Sequence, residues 1–132
     1  MSQSTHQRRI GLTVLAAIAL AAYATTSLVQ GADKAPKYTV SEVMKAINKG
    51  EDNICKRVSQ GKASKEDIAK MVEYYESLPL NKAPKGEQKS WEEKTAALVK
   101  AAKSVKAGDA DGLAKFKEAV NCKACHSAHK PD

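Results

Sequence analysis

The chain is poor in aromatic residues. It has one phenylalanine, Phe116, one tryptophan, Trp91, and four tyrosines in 132 residues. Strand signals are lacking as well. No run alternates apolar with polar residues, no Asn-Gly pair marks a hairpin, and β-branched residues hardly cluster, which argues against a sheet. Long apolar runs are also missing. The stretch from Ile10 to Tyr23 is about 14 residues, short of the roughly 20 that cross a bilayer. No acidic residue occurs before Asp33, and the three histidines are His6, His126 and His129.

What is present begins with a leader. Met1 to Arg9 is polar and carries Arg8 and Arg9, Ile10 to Tyr23 is apolar, and Val29-Gln30-Gly31 sets small residues where a signal peptidase cuts. That order is the signature of a secretory signal peptide over residues 1–31, cleaved to leave 32–132 as one domain. The alternative is an uncleaved membrane anchor, which the short apolar core disfavours. The paired arginines are a weak sign of twin-arginine export and are more simply the positive n-region of an ordinary leader. Two of the 22 basic residues and none of the 15 acidic ones lie in the leader, so residues 32–132 carry twenty cations against fifteen anions, or +5. A moderately basic surface suits acidic partners or a membrane surface. Export, and lysines scattered among acids, argue against nucleic acid.

The remainder reads as four amphipathic helices. Thr39 and Glu42 form a capping box for the first, whose stripe of Val40, Val43, Met44, Ile47, Ile54 and Val58 runs to Gly61, with Gly50 interrupting it. Ser64 and Asp67 start the second, and Pro79 stops it. A polar loop then leads to Ser90 and Glu93, a second capping box, and to a third helix ending near Gly108. A carboxylate of Asp109 or Asp111 caps the fourth, which carries Leu113, Phe116 and Val120 and runs on into Cys122. Four helices with short connections predict an all-α, antiparallel up-down-up-down bundle. Its thin aromatic core leaves room for a large apolar cofactor.

Three cysteines in an exported chain invite a search for disulfides. Two of them, however, form Cys122-Lys123-Ala124-Cys125-His126, the attachment motif for one covalent haem c. On one helical turn the two thiols meet the two vinyl groups of a haem edge, and the adjacent imidazole of His126 turns under the iron. Three other readings compete. A thioredoxin-like motif needs a βαβ context that is missing. A zinc site of Cys122, Cys125, His126 and His129 has the right ligand types, but one continuous helix cannot wrap four such neighbours around an ion. A Cys122–Cys125 disulfide fits a helix poorly.

The sixth coordination position narrows by elimination. His6 leaves with the leader and His129 lies one turn from His126 on the same helix, so no histidine serves the opposite face. In an up-down-up-down bundle the end of the fourth helix lies beside the start of the first. Met44 is then about level with His126, on a rise of about 1.5 Å per residue, and Met71 is less well placed. As a ligand, Met44 makes the iron six-coordinate and raises its potential; as a core residue, it leaves the iron five-coordinate. The same register puts Val43, Ile47, Tyr75, Leu78, Trp91 and Thr95 around the haem. Lys37, Lys82, Lys85, Lys89, Lys123 and Lys130 fall at that end too, either as a docking face for an acidic redox partner or as a solvated surface. Cys55 is expected late in the first helix, far from the haem, as a buried thiol or an intermolecular disulfide.

Four helices with Asn121-Cys122-Lys123-Ala124-Cys125-His126 near the C-terminus resemble the class II c-type cytochromes. These are the cytochromes c′ and their low-spin, methionine-ligated relatives. The resemblance covers the mature chain in architecture, and its specific part is the C-terminal motif. It implies a haem-pocket role for Lys130, where the family often has a basic residue near the proximal histidine. It likens Met44, within Val43-Met44-Lys45, to the distal ligand of the six-coordinate branch, and it makes a homodimer an option. Two positions depart from the pattern: Val40 stands where an arginine often precedes the distal residue, and His129 where an aromatic is common.

The expectation is a periplasmic monohaem cytochrome, not an enzyme, passing single electrons between redox proteins. The alternative is a five-coordinate haem that binds nitric oxide or carbon monoxide. Peroxide chemistry lacks support, because residues 32–132 hold no suitable distal histidine and a single arginine, Arg57, far from the haem.

Overall fold

Helix starts follow the polar caps where a free backbone N–H needs an acceptor. The computed structural model describes residues 34–132; the expected leader over 1–31 lies outside them. Thr39 Oγ1 accepts the Glu42 N–H at 3.3 Å and the Glu42 carboxylate accepts the Thr39 N–H at 2.8 Å. This completes the capping box of α1 (Val40–Val43). The helix widens at once into a π-helical turn, Met44–Asn48, and ends at Lys49.

The first helix is therefore not continuous to Gly61 as expected. Gly50 takes a left-handed φ of 98°, which a side chain would strain. Asn53 then caps a new helix, α2 (Ile54–Ser59), its Oδ1 accepting the Lys56 N–H at 2.8 Å. Its other end follows the expectation. The Gly61 and Lys62 N–H groups reach the Val58 and Arg57 carbonyls, both at 2.9 Å, in a Schellman closure.

Ser64 caps α3 (Lys65–Tyr75) by accepting the Asp67 N–H at 3.1 Å. The Asp67 carboxylate turns instead to Arg57, meeting Nε at 3.1 Å and Nη2 at 2.9 Å. This forked pair ties α2 to α3. Pro79 lies in a short 3-10 turn, Leu78–Leu80.

The next helix, α4 (Gln88–Ala107), starts earlier than the Ser90–Glu93 box predicts, with Glu87 at its N-cap and no side-chain cap. It closes at Gly108. In α5 (Gly112–Ala119), Asp111 occupies the N-cap but sends its carboxylate to Lys115 at 2.6 Å rather than to the backbone. The fourth helix is broken as well. Val120 and Asn121 leave helical geometry, and Asn121 Oδ1 accepts the Ala124 N–H at 3.0 Å to start α6 (Cys122–His129).

No strand occurs among the described residues. α4 packs on α3 and α5, and α2 packs on the same two helices. Between them lies a core that includes Val43, Ile47, Val58, Met71, Tyr75 and Phe116, each 0–1 % exposed. Burying a side chain the size of Phe116 contributes about 1.5–3 kcal/mol. No helix among the described residues is long and apolar enough to cross a membrane.

Candidate functional site

A cavity of about 670 Å³ opens beside α6, within the range of roughly 300–1,000 Å³ typical of ligand sites. Four segments build most of its wall, with Leu78 of the 3-10 turn beside them. The π-helical turn supplies Met44 and Asn48, and α2 supplies Cys55, Lys56 and Ser59. From α4 come Trp91, Lys94, Thr95 and Leu98, and from the last break and α6 come Val120, Asn121, Cys122, Cys125 and His126. Met44 and the Cys-x-x-Cys-His motif thus face one space.

The α4 wall is held rigidly. Trp91 Nε1 donates to the Leu78 carbonyl at 2.9 Å, and Thr95 Oγ1 donates to the Trp91 carbonyl at 2.7 Å. Both side chains are buried, so these bonds satisfy groups that are costly to leave unpaired. Behind the wall, Tyr75 hydroxyl accepts from Asn48 Nδ2 at 3.2 Å, and burial pushes its ionisation far above the ordinary range.

The three cysteines are free thiols. Cys122 is exposed and Cys125 half-buried, and burial raises the Cys125 thiol while the charge of Lys94 opposes the rise. Cys55 is buried, and burial likewise pushes its thiol up. Its place on the wall corrects the expectation that it lies far from the motif. That expectation carried one helical register from Met44 to Cys55, and the break at residues 49–53 cancels it.

His129 is the buried residue of α6. Its Nδ1 lies 2.8 Å from the Lys85 carbonyl and its Nε2 3.2 Å from Ser90 Oγ. A carbonyl can only accept, so Nδ1 carries a proton and donates to it, and Nε2 is left to pair with the serine hydroxyl. The ring also meets Trp91 edge-on, with centroids 5.5 Å apart. Both nitrogens are engaged away from the cavity, which removes His129 from any shared metal site with the motif. Among the described residues no three His, Cys, Asp or Glu side chains group as metal ligands.

Other expected pocket residues sit elsewhere. Val43, Ile47 and Tyr75 belong to the buried core with Met71 and Phe116 and do not form the wall. Lys130 is exposed at the end of α6, where its N–H donates to the His126 carbonyl at 3.0 Å. Of the six lysines expected at that end, Lys37 pairs with Glu73, Lys85 with Asp132 at 2.7 Å and Lys89 with Glu93 at 4.0 Å. Sequence reasoning missed Lys56 and Lys94. The signal for Lys94 was present, since it follows Trp91 by three positions and precedes Leu98 by four, on one helical face.

No protein-family model, curated protein or solved structure matches the chain.

Proposed function

We propose that this chain is an exported c-type cytochrome. Cys122 and Cys125 hold one haem by thioether bonds, His126 is its proximal ligand and Met44 its distal ligand, and it carries single electrons between redox proteins. The observation that carries the reading is convergence. Met44, from the first helical segment, and the attachment motif, from the last, line a single cavity.

The residues present fit the group. The wall is largely apolar, both motif thiols are free, and neither aspartate nor glutamate lies on it. Met71 is buried in the core, so Met44 is the methionine on the wall among the described residues. Its position at the first residue of a π-helical turn supports a functional role, since such turns recur at functional sites.

Haem supplies an iron that exchanges one electron at a time. The chain's own work is to bind, orient and exclude water. Trp91, Leu78 and Leu98 form the apolar side that keeps water out, which also helps to set a potential. Asn121 starts the helix that presents the motif. His129 fastens the end of that helix to α4 and to the loop before it.

The up-down-up-down bundle is part of this proposal. It is supported by the ring of neighbours in which α2 and α4 each pack on α3 and α5. Acidic redox proteins remain the proposed partners, and Lys82, Lys123 and Lys130 make no ion pair among the described residues. Export to a periplasm rests on residues 1–31.

The test is the optical spectrum of the mature protein in both oxidation states, repeated with Met44→Ala. A low-spin ferric spectrum with the weak far-red sulfur-to-iron band, lost in the variant, supports the reading. A high-spin spectrum unchanged by the variant, with ready uptake of carbon monoxide or nitric oxide, replaces electron transfer with gas binding. A mature chain without haem overturns both.

A further inference from the structure

The cavity is electrostatically one-sided. Lys56 of α2 and Lys94 of α4 lie on its wall, and no carboxylate does. Both lysines are exposed as residues. Long basic side chains so placed lay their stems on apolar surface and keep the ammonium group in water. Lys94 shares the inward face of α4 with Trp91, Thr95 and Leu98, a stripe where a cation is otherwise out of place.

Neither lysine has a carboxylate partner among the described residues. Lys56 Nζ donates to the backbone carbonyl of Glu51 at 2.9 Å. Acids near Lys94 are turned elsewhere: Glu92 accepts from Gln88 at 2.9 Å, and Glu93 faces Lys89. Two unpaired cations at the rim of an apolar, acid-free cavity describe a site for a flat apolar ligand that bears carboxylates.

We propose that Lys56 and Lys94 anchor the two propionate carboxylates of the bound haem, so that its acidic edge lies toward α2 and α4. This rests on the haem reading and adds an orientation to it.

The other titratable groups on the wall are His126 and the thiols of Cys55, Cys122 and Cys125. The π-helical turn brings only the uncharged Met44 and Asn48. A cation beside a carboxylate holds its proton affinity down. Removing it moves the carboxylate's titration to higher pH.

The experiment follows the midpoint potential of the haem-loaded protein across pH. It compares wild type with Lys56→Gln, Lys94→Gln, the double variant, Lys56→Arg and Lys94→Arg. Lys117→Gln, an exposed position on α5 off the wall, controls for loss of one positive charge. Exposed substitutions of this kind usually change stability by no more than about 0.5 kcal/mol, so the single variants should fold. The expected result is a propionate-linked step that moves to higher pH in the glutamine variants at Lys56 and Lys94, furthest in the double one. It stays in place with arginine and in Lys117→Gln. A loaded double variant whose step does not move, or a step that moves equally in Lys117→Gln, overturns the anchor assignment while leaving the haem intact. A wild-type chain that takes up no haem overturns the underlying reading, and this one with it.

Discussion

His129 Nδ1 and the Lys85 carbonyl, 44 positions apart, meet at 2.8 Å, and this bond fastens the C-terminal helix to the loop that precedes α4. Gly86 makes the approach possible. It has a φ of 77°, and a Cβ there would stand 2.7 Å from the Ala128 carbonyl oxygen and 3.3 Å from His129 Nδ1. Loop, glycine and imidazole form one latch.

Breaking the latch should be costly. His129→Ala removes two part-buried hydrogen bonds, to the Lys85 carbonyl and the Ser90 hydroxyl, at about 0.5–1.5 kcal/mol each. Gly86→Ala adds a left-handed backbone penalty of about 1–2 kcal/mol to the clash. Urea denaturation should show both losses. If both variants unfold at the wild-type midpoint, the latch contributes nothing to stability.

The two asparagine caps can be separated by substitution. Asn53→Ala and Asn121→Ala each remove a side-chain acceptor from a helix start and should cost about 0.5–2 kcal/mol. Aspartate or serine at either position should recover most of the loss. Asn121→Ala should also lower the yield of covalently attached haem, because it loosens the helix that carries both thiols. Asn53→Ala should not. The measurements are denaturation midpoints and the fraction of protein whose mass includes haem.

Thiol chemistry offers a third check. In the haem-free chain Cys122 should be alkylated by iodoacetamide first. Cys55 should react slowest, because it is buried and its thiol is held above the ordinary value. Peptide mass mapping over a time course ranks the three sites. Equal rates at Cys55 and Cys122 would mean that Cys55 is not shielded on the wall.

Acid should destabilise the fold through its capping and pairing carboxylates. Glu42 is held below its ordinary value of 4.5 by the Thr39 N–H and hydroxyl, Glu73 by Lys37 and Tyr38, and Asp111 below 3.8 by Lys115. A lowered folded-state value means that the unfolded chain takes the proton first. The stabilisation is therefore complete above the ordinary carboxylate range and is lost as pH falls through and below it. Thermal melts between pH 7 and pH 3 should decline toward the acid end. Glu42→Gln should shallow that decline.

Much of the helical grammar was readable before any coordinates. Thr39 with Glu42, Ser64 with Asp67, Gly61 and Gly108 act over three or four residues, and such local bonds leave a plain signature. Ser90 shows where that reading stops. Its spacing to Glu93 matches a capping box, yet its hydroxyl is taken by His129, 39 positions away, and no local rule sees such a partner. The break at Val120–Asn121 was missed, and that at Gly50–Asn53 was read as an interruption within one helix, for a related reason. The apolar stripes run through both, and a stripe reports which side is buried, not whether the backbone is continuous. The same oversight sent Cys55 away from the motif. Lys94 was overlooked because a lysine between two acids and an apolar stripe reads as surface, and only the wall shows which way it faces.

The break at Asn121 gives the last helix a mechanical independence. α6 is joined to α5 through two non-helical residues and contributes one fully buried side chain, the imidazole of His129. Regions with few buried contacts open at a fraction of the global unfolding energy. Once His129 lets go of Lys85 and Ser90, α6 should therefore open as a flap while Phe116, Met71 and Tyr75 stay packed. A group to be joined to the two thiols would then meet a folded protein with one hinged end.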